Sequence, residues 1–269
     1  MSFLSQAPSP LPAQPHDANA AGVAYHIAGE LVPVLTVQLA PGQTVFFEHH
    51  ILLWKEPSVE FRVRPLAGMV KRLLAGMELL IVEAVGPGQV AFSRDGVGQV
   101  FAVPLAPGQE LHVREHQFLA ASGDIGFTWE RVQGVANMLF GGTGFFIDKF
   151  QAGAAPGVVW LHGHGNVFEK TLLAGEQLDV EPGGWLHKDL SVAMETTYQG
   201  LTAGLLGGMR LACNRFTGPG RLGLQSMSAR VESAGAEQTT QDNAQSASSA
   251  ALGVIGAIAG GLFGNRDQR

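Results

Sequence analysis

Three stretches of the chain share one form: VLTVQLAPGQTV at residues 34–45, VFAVPLAPGQEL at residues 100–111 and VFEKTLLAGEQL at residues 167–178. In the first stretch Leu35 and Leu39 lie at alternate positions with Val37, which is the period of a β-strand with one buried face. The Pro-Gly pair that follows indicates a turn, because proline fixes φ and glycine accepts a positive φ. The pattern predicts a strand followed by a tight turn, used three times.

The similarity continues beyond these openings. Residues 34–99, 100–166 and 167–230 align almost without gaps, which indicates three tandem repeats. Glycines fall at matching positions in all three repeats, and we interpret them as turn glycines: Gly42, Gly108 and Gly175 in one series, and Gly76, Gly142 and Gly208 in another.

The repeats predict an all-β fold, because short alternating strands are separated by Gly and Pro turns. One such strand is expected at residues 59–63, where Val59, Phe61 and Val63 alternate with charged residues. A single repeat has too little core to fold alone, so we expect the three to pack around a pseudo-threefold axis.

The two ends differ from the folded part, which we assign to residues 23–230. Residues 1–22 are rich in proline and are predicted to form a disordered arm. Residues 231–269 read as a flexible linker and an apolar, Gly-rich tail. The uncharged part of the tail, residues 251–264, is shorter than the ~20 residues that a membrane-spanning helix needs.

Composition excludes several classes of function. The net charge is -6, which argues against a general nucleic-acid-binding protein, since such proteins need basic surface. The single cysteine, Cys213, cannot form an internal disulfide and fits a reducing compartment. No secretory or transit signal is recognised, so the expected location is the cytoplasm, with peripheral membrane association left open.

The repeats resemble the family named after altered inheritance of mitochondria protein 24. The resemblance is carried by the L-x-P-G-Q/E opening, by Leu-Ala-Gly-Met-Glu at residues 74–78 and by Asn-Arg-Phe-Thr-Gly-Pro-Gly at residues 214–220. It implies a fold like that of the tryptophan RNA-binding attenuator protein, a short double-stranded β-helix or sandwich, here used three times. The family has no established catalytic residues to carry over, and its mitochondrial member is linked to inner-membrane organisation.

One motif suggests an enzyme. His162, His164 and Glu169, followed by His187, resemble the metal-binding pattern H-x-H-x4-E and P-x-G-x2-H of cupins. Two histidines, a carboxylate and a third histidine would suit Fe, Mn or Zn. The pattern spans a repeat boundary, however, and His187 aligns with Trp54 and Ala120. We therefore assign no metal, cofactor or catalytic residue and keep a cupin-like metalloenzyme as an alternative.

Each repeat also contains an apolar segment, and these segments are the candidate interaction surface. Their principal side chains are Met69, Val70, Leu73, Leu74, Leu139, Phe140, Leu205 and Leu206. Pseudo-threefold symmetry would bring them to equivalent positions, where exposed apolar area would signal a partner.

The leading prediction is a non-enzymatic scaffold or binding module for an unknown protein partner or a membrane surface, with self-association also open. Besides the cupin-like enzyme, a second alternative is an oligonucleotide-binding ring, although we expect no nucleic-acid partner.

Overall fold

The computed structural model describes residues 4–12, 17–64, 81–132, 145–198 and 212–228. Within these ranges the regular structure consists of twenty-one β-strands and one short 3-10 helix, His49–Ile51. The all-β prediction is therefore confirmed.

The strands are numbered in chain order. They are β1 (Ser9–Pro10), β2 (Asp17–Ala20), β3 (Val23–Ala28), β4 (Val34–Leu39), β5 (Thr44–Glu48), β6 (Leu52–Lys55), β7 (Glu60–Val63), β8 (Ile81–Val85), β9 (Gly88–Phe92), β10 (Gly98–Leu105), β11 (Glu110–Arg114), β12 (Phe118–Ser122), β13 (Ile125–Val132), β14 (Phe145–Ala152), β15 (Gly157–His164), β16 (Val167–Leu172), β17 (Gln177–Val180), β18 (Trp185–Asp189), β19 (Ala193–Tyr198), β20 (Ala212–Thr217) and β21 (Gly220–Gln225).

The described strands form four sheets. A seven-stranded sheet has the order β1-β16-β21-β18-β11-β14-β13, and a six-stranded sheet has the order β10-β15-β12-β5-β8-β7. A five-stranded sheet has the order β2-β3-β4-β9-β6, and a three-stranded sheet has the order β17-β20-β19. All strand pairs are antiparallel, so the sheets need no helical crossovers.

Strand pairing follows one order along the chain. We refer to β4–β9, β10–β15 and β16–β21 as three six-strand sets. In each set the first strand pairs with the sixth, and the second pairs with the fifth. The third strand also pairs with the sixth, and the register shifts by one residue at the same place in every set, which is the mark of a β-bulge.

Two joints connect the sets. The second strand of one set pairs with the third strand of the next, as β5 with β12 and as β11 with β18. Each joint merges strands of two sets into one larger sheet, and the six- and seven-stranded sheets arise in this way.

The core is apolar and lies between the sheets. Strand β4 buries the alternate residues Leu35, Val37 and Leu39 completely, as the sequence pattern predicts. A second cluster of buried side chains contains an aromatic group in which Phe118 lies 4.7 Å from Phe150, measured between ring centroids. These clusters join residues far apart in sequence, so they hold the sets together.

The turns after the first strands have the expected backbone. Gly42, Gly108 and Gly175 have φ of 75°, 74° and 76°, a conformation that glycine adopts without steric cost. A side chain at these positions would meet open space, so backbone conformation alone explains the residue choice.

Strand β7 differs from the half-buried strand predicted at residues 59–63. Val59 is buried, but Phe61 is 37% exposed and Val63 is 61% exposed. The reason is the position of β7 at the edge of its sheet, where it pairs with β8 alone among the described strands.

Residues 4–12 and 17–22 contain β1 and β2, although the composition of residues 1–22 predicts a disordered arm. Ser5 donates its backbone N–H to Oε1 of Glu176 over 2.6 Å, and Nζ of Lys170 donates to Oγ of Ser5 over 2.9 Å. Both Glu176 and Lys170 are buried, and Ser5 supplies hydrogen bonds that help to satisfy them. All described strands lie in one compact unit, Met1–Met227; the predicted domain and repeat boundaries stay predictions.

Candidate functional site

The histidines of the metal-binding motif lie on two strands. His162 and His164 are on β15, where their ring centroids are 5.0 Å apart, and both side chains are buried. Between them, a Cβ atom at Gly163 would meet Leu186 and Val167. Because successive residues of a strand point to opposite faces, His162 and His164 point away from that side of β15.

His187 lies on the other side of β15. Its ring is 5.9 Å from that of Phe101, which pairs opposite Leu161 and so shares the face of β15 that Gly163 presents. Glu169 on β16 pairs opposite Gly223, which also pairs opposite His187, so these two residues belong to the seven-stranded sheet, whereas His162 and His164 belong to the six-stranded sheet. The four motif residues therefore do not converge. Among the residues that the structure describes, no group of three or more His, Cys, Asp or Glu side chains could hold a metal ion. The cupin-like metal site is wrong, because spacing along the sequence does not reveal which face of a strand a distant histidine approaches.

Burial lowers the pKa of all three histidines. It lowers the pKa of His162 to about 4, with smaller contributions from His164 and Arg94, and a weak contact with the Gly96 backbone acts in the opposite direction. Burial likewise lowers the pKa of His164 and of His187 to about 4. Neutral imidazoles enclosed in this way act as packing groups rather than as proton donors at neutral pH.

A buried ion pair lies at the joint between β5 and β12. Nη2 of Arg94 donates to Oε2 of Glu48 over 3.1 Å and to the backbone oxygen of Phe118 over 2.9 Å. The arginine thereby connects the loop after β9 to strands of two different sets. Glu48 is 3% exposed, so this ion pair supports the joint and offers no open site for a substrate.

The apolar segments predicted as the interaction surface lie outside the described residues. This applies to Met69, Val70, Leu73, Leu74, Leu139, Phe140, Leu205 and Leu206, and also to Gly76, Gly142, Gly208 and the tail. Their exposure stays a prediction. Within the described ranges, no helix has the length and apolar composition required to cross a bilayer.

Exposed apolar side chains are nevertheless found on β6 and β7. Leu53 is 54% exposed and Trp54 is 41% exposed. Phe61 and Val63 of β7, the next strand along the chain, are exposed as well. We call these four residues the β6–β7 patch. Nζ of Lys55 lies 5.4 Å from the ring centroid of Phe61, so the two strands are in contact.

The exposure of β6 is unusual for a third strand of a set. The residues at the same place in β12 and β18, Leu119 and Leu186, are fully buried. Those strands are covered by β5 and β11, whereas β6 pairs with β9 alone among the described strands. Leu53 and Trp54 are therefore exposed because a joint is absent at this position, whereas Phe61 and Val63 are exposed because β7 lies at the edge of its sheet.

A second open edge lies on β17. It pairs with β20 alone among the strands described, although the second strands of the other two sets, β5 and β11, also pair with a joint strand. Leu178 and Val180 of β17 are half-buried against an apolar cluster that contains Trp185 and Phe216. Among the described residues, β6 and β17 are thus a third strand and a second strand that take part in no joint.

Sequence reasoning did not identify either edge. A usable signal was the run Ile51-Leu52-Leu53-Trp54, since four consecutive large apolar residues do not fit a strand with one solvent-facing side.

A shallow cavity of about 200 Å³ is open on the face of β2, β3, β4 and β9. His26 Nδ1 lies 2.9 Å from Oδ1 of Asp17 at its margin. Both side chains are well exposed, so this pair is a surface contact of small energy and not an activated catalytic pair.

Comparison with known proteins agrees with the fold. The crystal structure of protein SPYM3_0169 from Streptococcus pyogenes is similar, with a TM-score of 0.63 and 17% sequence identity. The match covers 81% of this chain and 99% of that chain. No curated protein matches. The family model described as mitochondrial biogenesis AIM24 matches residues 25–227, and the chain therefore belongs to the AIM24 family.

Proposed function

We propose that the protein is a non-enzymatic scaffold or binding module that holds a protein partner on the β6–β7 patch. The observation that carries the proposal is the contrast between Leu53, 54% exposed, and its buried counterparts Leu119 and Leu186. A strand edge with exposed apolar side chains is a common site for binding another polypeptide, since backbone hydrogen bonds and side-chain burial act together.

We further propose that the six-strand sets are three copies of one unit related by a pseudo-threefold axis. The common order of strand pairing and the bulge at the same place in every set support this proposal. In this view a double-stranded β-helix or sandwich unit is used three times, and its repetition provides rigid spacing between binding surfaces.

The chemistry of the buried polar groups supports a non-enzymatic role. The Arg94–Glu48 pair lies within a joint, and the ring of His187 lies against the backbone of Gly223. Groups held in this way stabilise the sheets, because a buried charge needs a partner and a buried ring needs contacts.

The experiment is site-specific photo-crosslinking in the native cell. A benzophenone side chain is placed at Leu53 in one variant and at Leu31, an exposed leucine in the β3–β4 turn, in a matched control. The expected result is a discrete crosslinked protein, either another polypeptide or a second copy of this chain, from position 53 and not from position 31.

Equal labelling from both positions, or none from position 53, would contradict the proposal. A membrane surface is the other outcome of the test: flotation of the purified protein with liposomes that is lost in Leu53→Ser but kept in Leu31→Ser would replace the protein partner with lipid.

A further inference from the structure

We propose that the occupant of the β6 edge is strand β17 of a second copy of this chain, so that copies join head to tail through a third joint. This inference rests on the proposed function and names the partner that the β6–β7 patch receives.

The two joints within the chain define the geometry of the third. In the first joint Phe47 of β5 pairs opposite Ala120 of β12, and in the second Val113 of β11 pairs opposite His187 of β18. Their common register, transferred to β17 and β6, gives the expected pairs of the new joint: Val180 with Trp54, Asp179 with Lys55, and Leu178 with Glu56.

Strand β6 already has the local structure of a joint strand. Nζ of Lys55 donates to the backbone oxygen of Val59 over 2.9 Å, and Nζ of Lys188 makes the same contact with Val192 over 2.7 Å. The bulge of β6 at Leu53 also matches the bulge of β18. Because β18 is a strand of an existing joint, β6 can accept a partner without rearrangement.

The expected pairs are chemically compatible. Trp54, now 41% exposed, would be covered by Val180, and the Lys55 ammonium would approach the carboxylate of Asp179, which already accepts hydrogen bonds of 2.7 and 2.8 Å from Arg215 of its own chain. Opposite charges on directly paired residues stabilise an antiparallel pair, whereas like charges would oppose it.

The first strands of the sets are protected against this kind of pairing, whereas the fourth strands β7, β13 and β19 are open edges among the described residues, as β6 and β17 are. The first strands β4 and β16 are covered by β3 and β1, and β10 carries Pro104, which cannot donate a backbone hydrogen bond. Within the described residues β6 and β17 have neither a covering strand nor a proline. Natural proteins protect sheet edges that must not pair. Two open edges with matching register therefore favour pairing of β17 with β6.

A second copy fits these edges better than closure within one chain. A threefold axis that related the sets strictly would bring β17 to β6 of the same chain, since one chain presents one β6 edge and one β17 edge. The described residues contain no pairing between these two edges. A surface that pairs with a different surface of an identical copy is a heterologous interface, which continues until it closes a ring or forms a filament.

The test is disulfide trapping between two co-expressed variants in a Cys213→Ser background, one with Trp54→Cys and one with Val180→Cys. Directly paired residues of antiparallel strands lie within the Cα separation that a disulfide requires. Since each chain carries one cysteine, a crosslink between the two kinds of chain can form only between copies. We expect a disulfide-linked heterodimer.

Co-expression of Trp54→Cys with Gln177→Cys, three residues out of register, is the matched control. We expect at least a five-fold lower yield of heterodimer from it, since three residues of a strand span about 10 Å. Equal yields, or no heterodimer while circular dichroism shows an intact fold, would overturn the inference.

The double variant Trp54→Cys/Val180→Cys tests closure within one chain. A compact, oxidised monomer without linked copies would overturn the head-to-tail joint. A photo-crosslink from position 53 to a different protein, without disulfide trapping, would leave the proposed function standing and remove this inference alone.

Discussion

At the scale of single residues, the clearest feature is the burial of three imidazole rings. His162, His164 and His187 have exposed fractions of 0%, 2% and 1%, and burial keeps all three neutral at pH 7. The ring of His162 lies against Gly98, where an added Cβ atom would be 2.7 Å from Nε2. Close packing against glycines leaves no room for the water that a charged ring would need.

We expect the protein to lose stability as the pH falls from about 6.5 to about 4. Each pKa is lowered in the folded state, so the unfolded chain binds more protons in this range, and the full stability is present above the range. Three rings give a slope of at most about 4 kcal/mol per pH unit. Urea denaturation at about pH 7, 6 and 5 measures this slope.

The matched variant is His162→Phe, which keeps an aromatic ring without a titrating group. Its slope should be smaller by about one proton. An unchanged slope in this variant would mean that His162 does not contribute to the acid sensitivity.

At the scale of the element, the bulged third strands of the second and third sets pair with the preceding set. Leu186 of the bulge in β18 reaches β15, where Gly163 leaves space for it. A side chain at Gly163 would collide with Leu186 and with Val167, so the glycine is needed for the close approach of two sheets.

Gly163→Ala should therefore destabilise the fold by about 2 kcal/mol, because an added methyl group in a packed core forces the neighbours apart. Gly126→Ala is the control, since its Cβ atom would be 3.5 Å from its nearest neighbour, the backbone oxygen of Gln151. The midpoints of urea unfolding measure both effects. Similar midpoints for the two variants would show that the sheets adjust to the methyl group.

Much of the element scale could be predicted from the sequence, because it depends on neighbouring residues. The alternation at Leu35, Val37 and Leu39 predicted a buried face, and the glycine of the turn after β4 predicted a positive φ. The exposure of Phe61 and Trp54 could not be predicted, because it depends on which distant strand covers them. The same limit applies to the motif histidines, whose relative placement is decided by sheet packing.

At the scale of the whole molecule, the joints give the chain a direction. Among the described residues its first set leaves the edge of β6 open and its last set leaves the edge of β17 open, so the two ends are different. This arrangement could be predicted only in part. The repeated sequence pattern implies that neighbouring units make similar contacts, but it does not show which strand edges stay unpaired.

We expect light scattering of the purified protein to give masses that are multiples of 28.4 kDa. Leu53→Ser should shift the mass toward that of one chain, because it removes apolar contact at the edge that receives the partner. Leu31→Ser, a change of the same chemistry in the β3–β4 turn, should leave the mass unchanged. A mass of 28.4 kDa for the unmodified protein at all concentrations would contradict the expectation.

Strand β1 has a consequence for how the chain can be shortened. It covers β16 through only two residue pairs and the hydrogen bond from Leu11 to Val167. Cleavage after Pro12 would remove β1 and expose unpaired backbone N–H and C=O groups along β16. It would also remove Ser5, whose hydroxyl group accepts a hydrogen bond from Lys170 and donates one to Glu176. An exposed strand edge of this kind promotes aggregation with other chains. We therefore expect the turbidity of the truncated protein to rise with time, while that of the intact protein stays low.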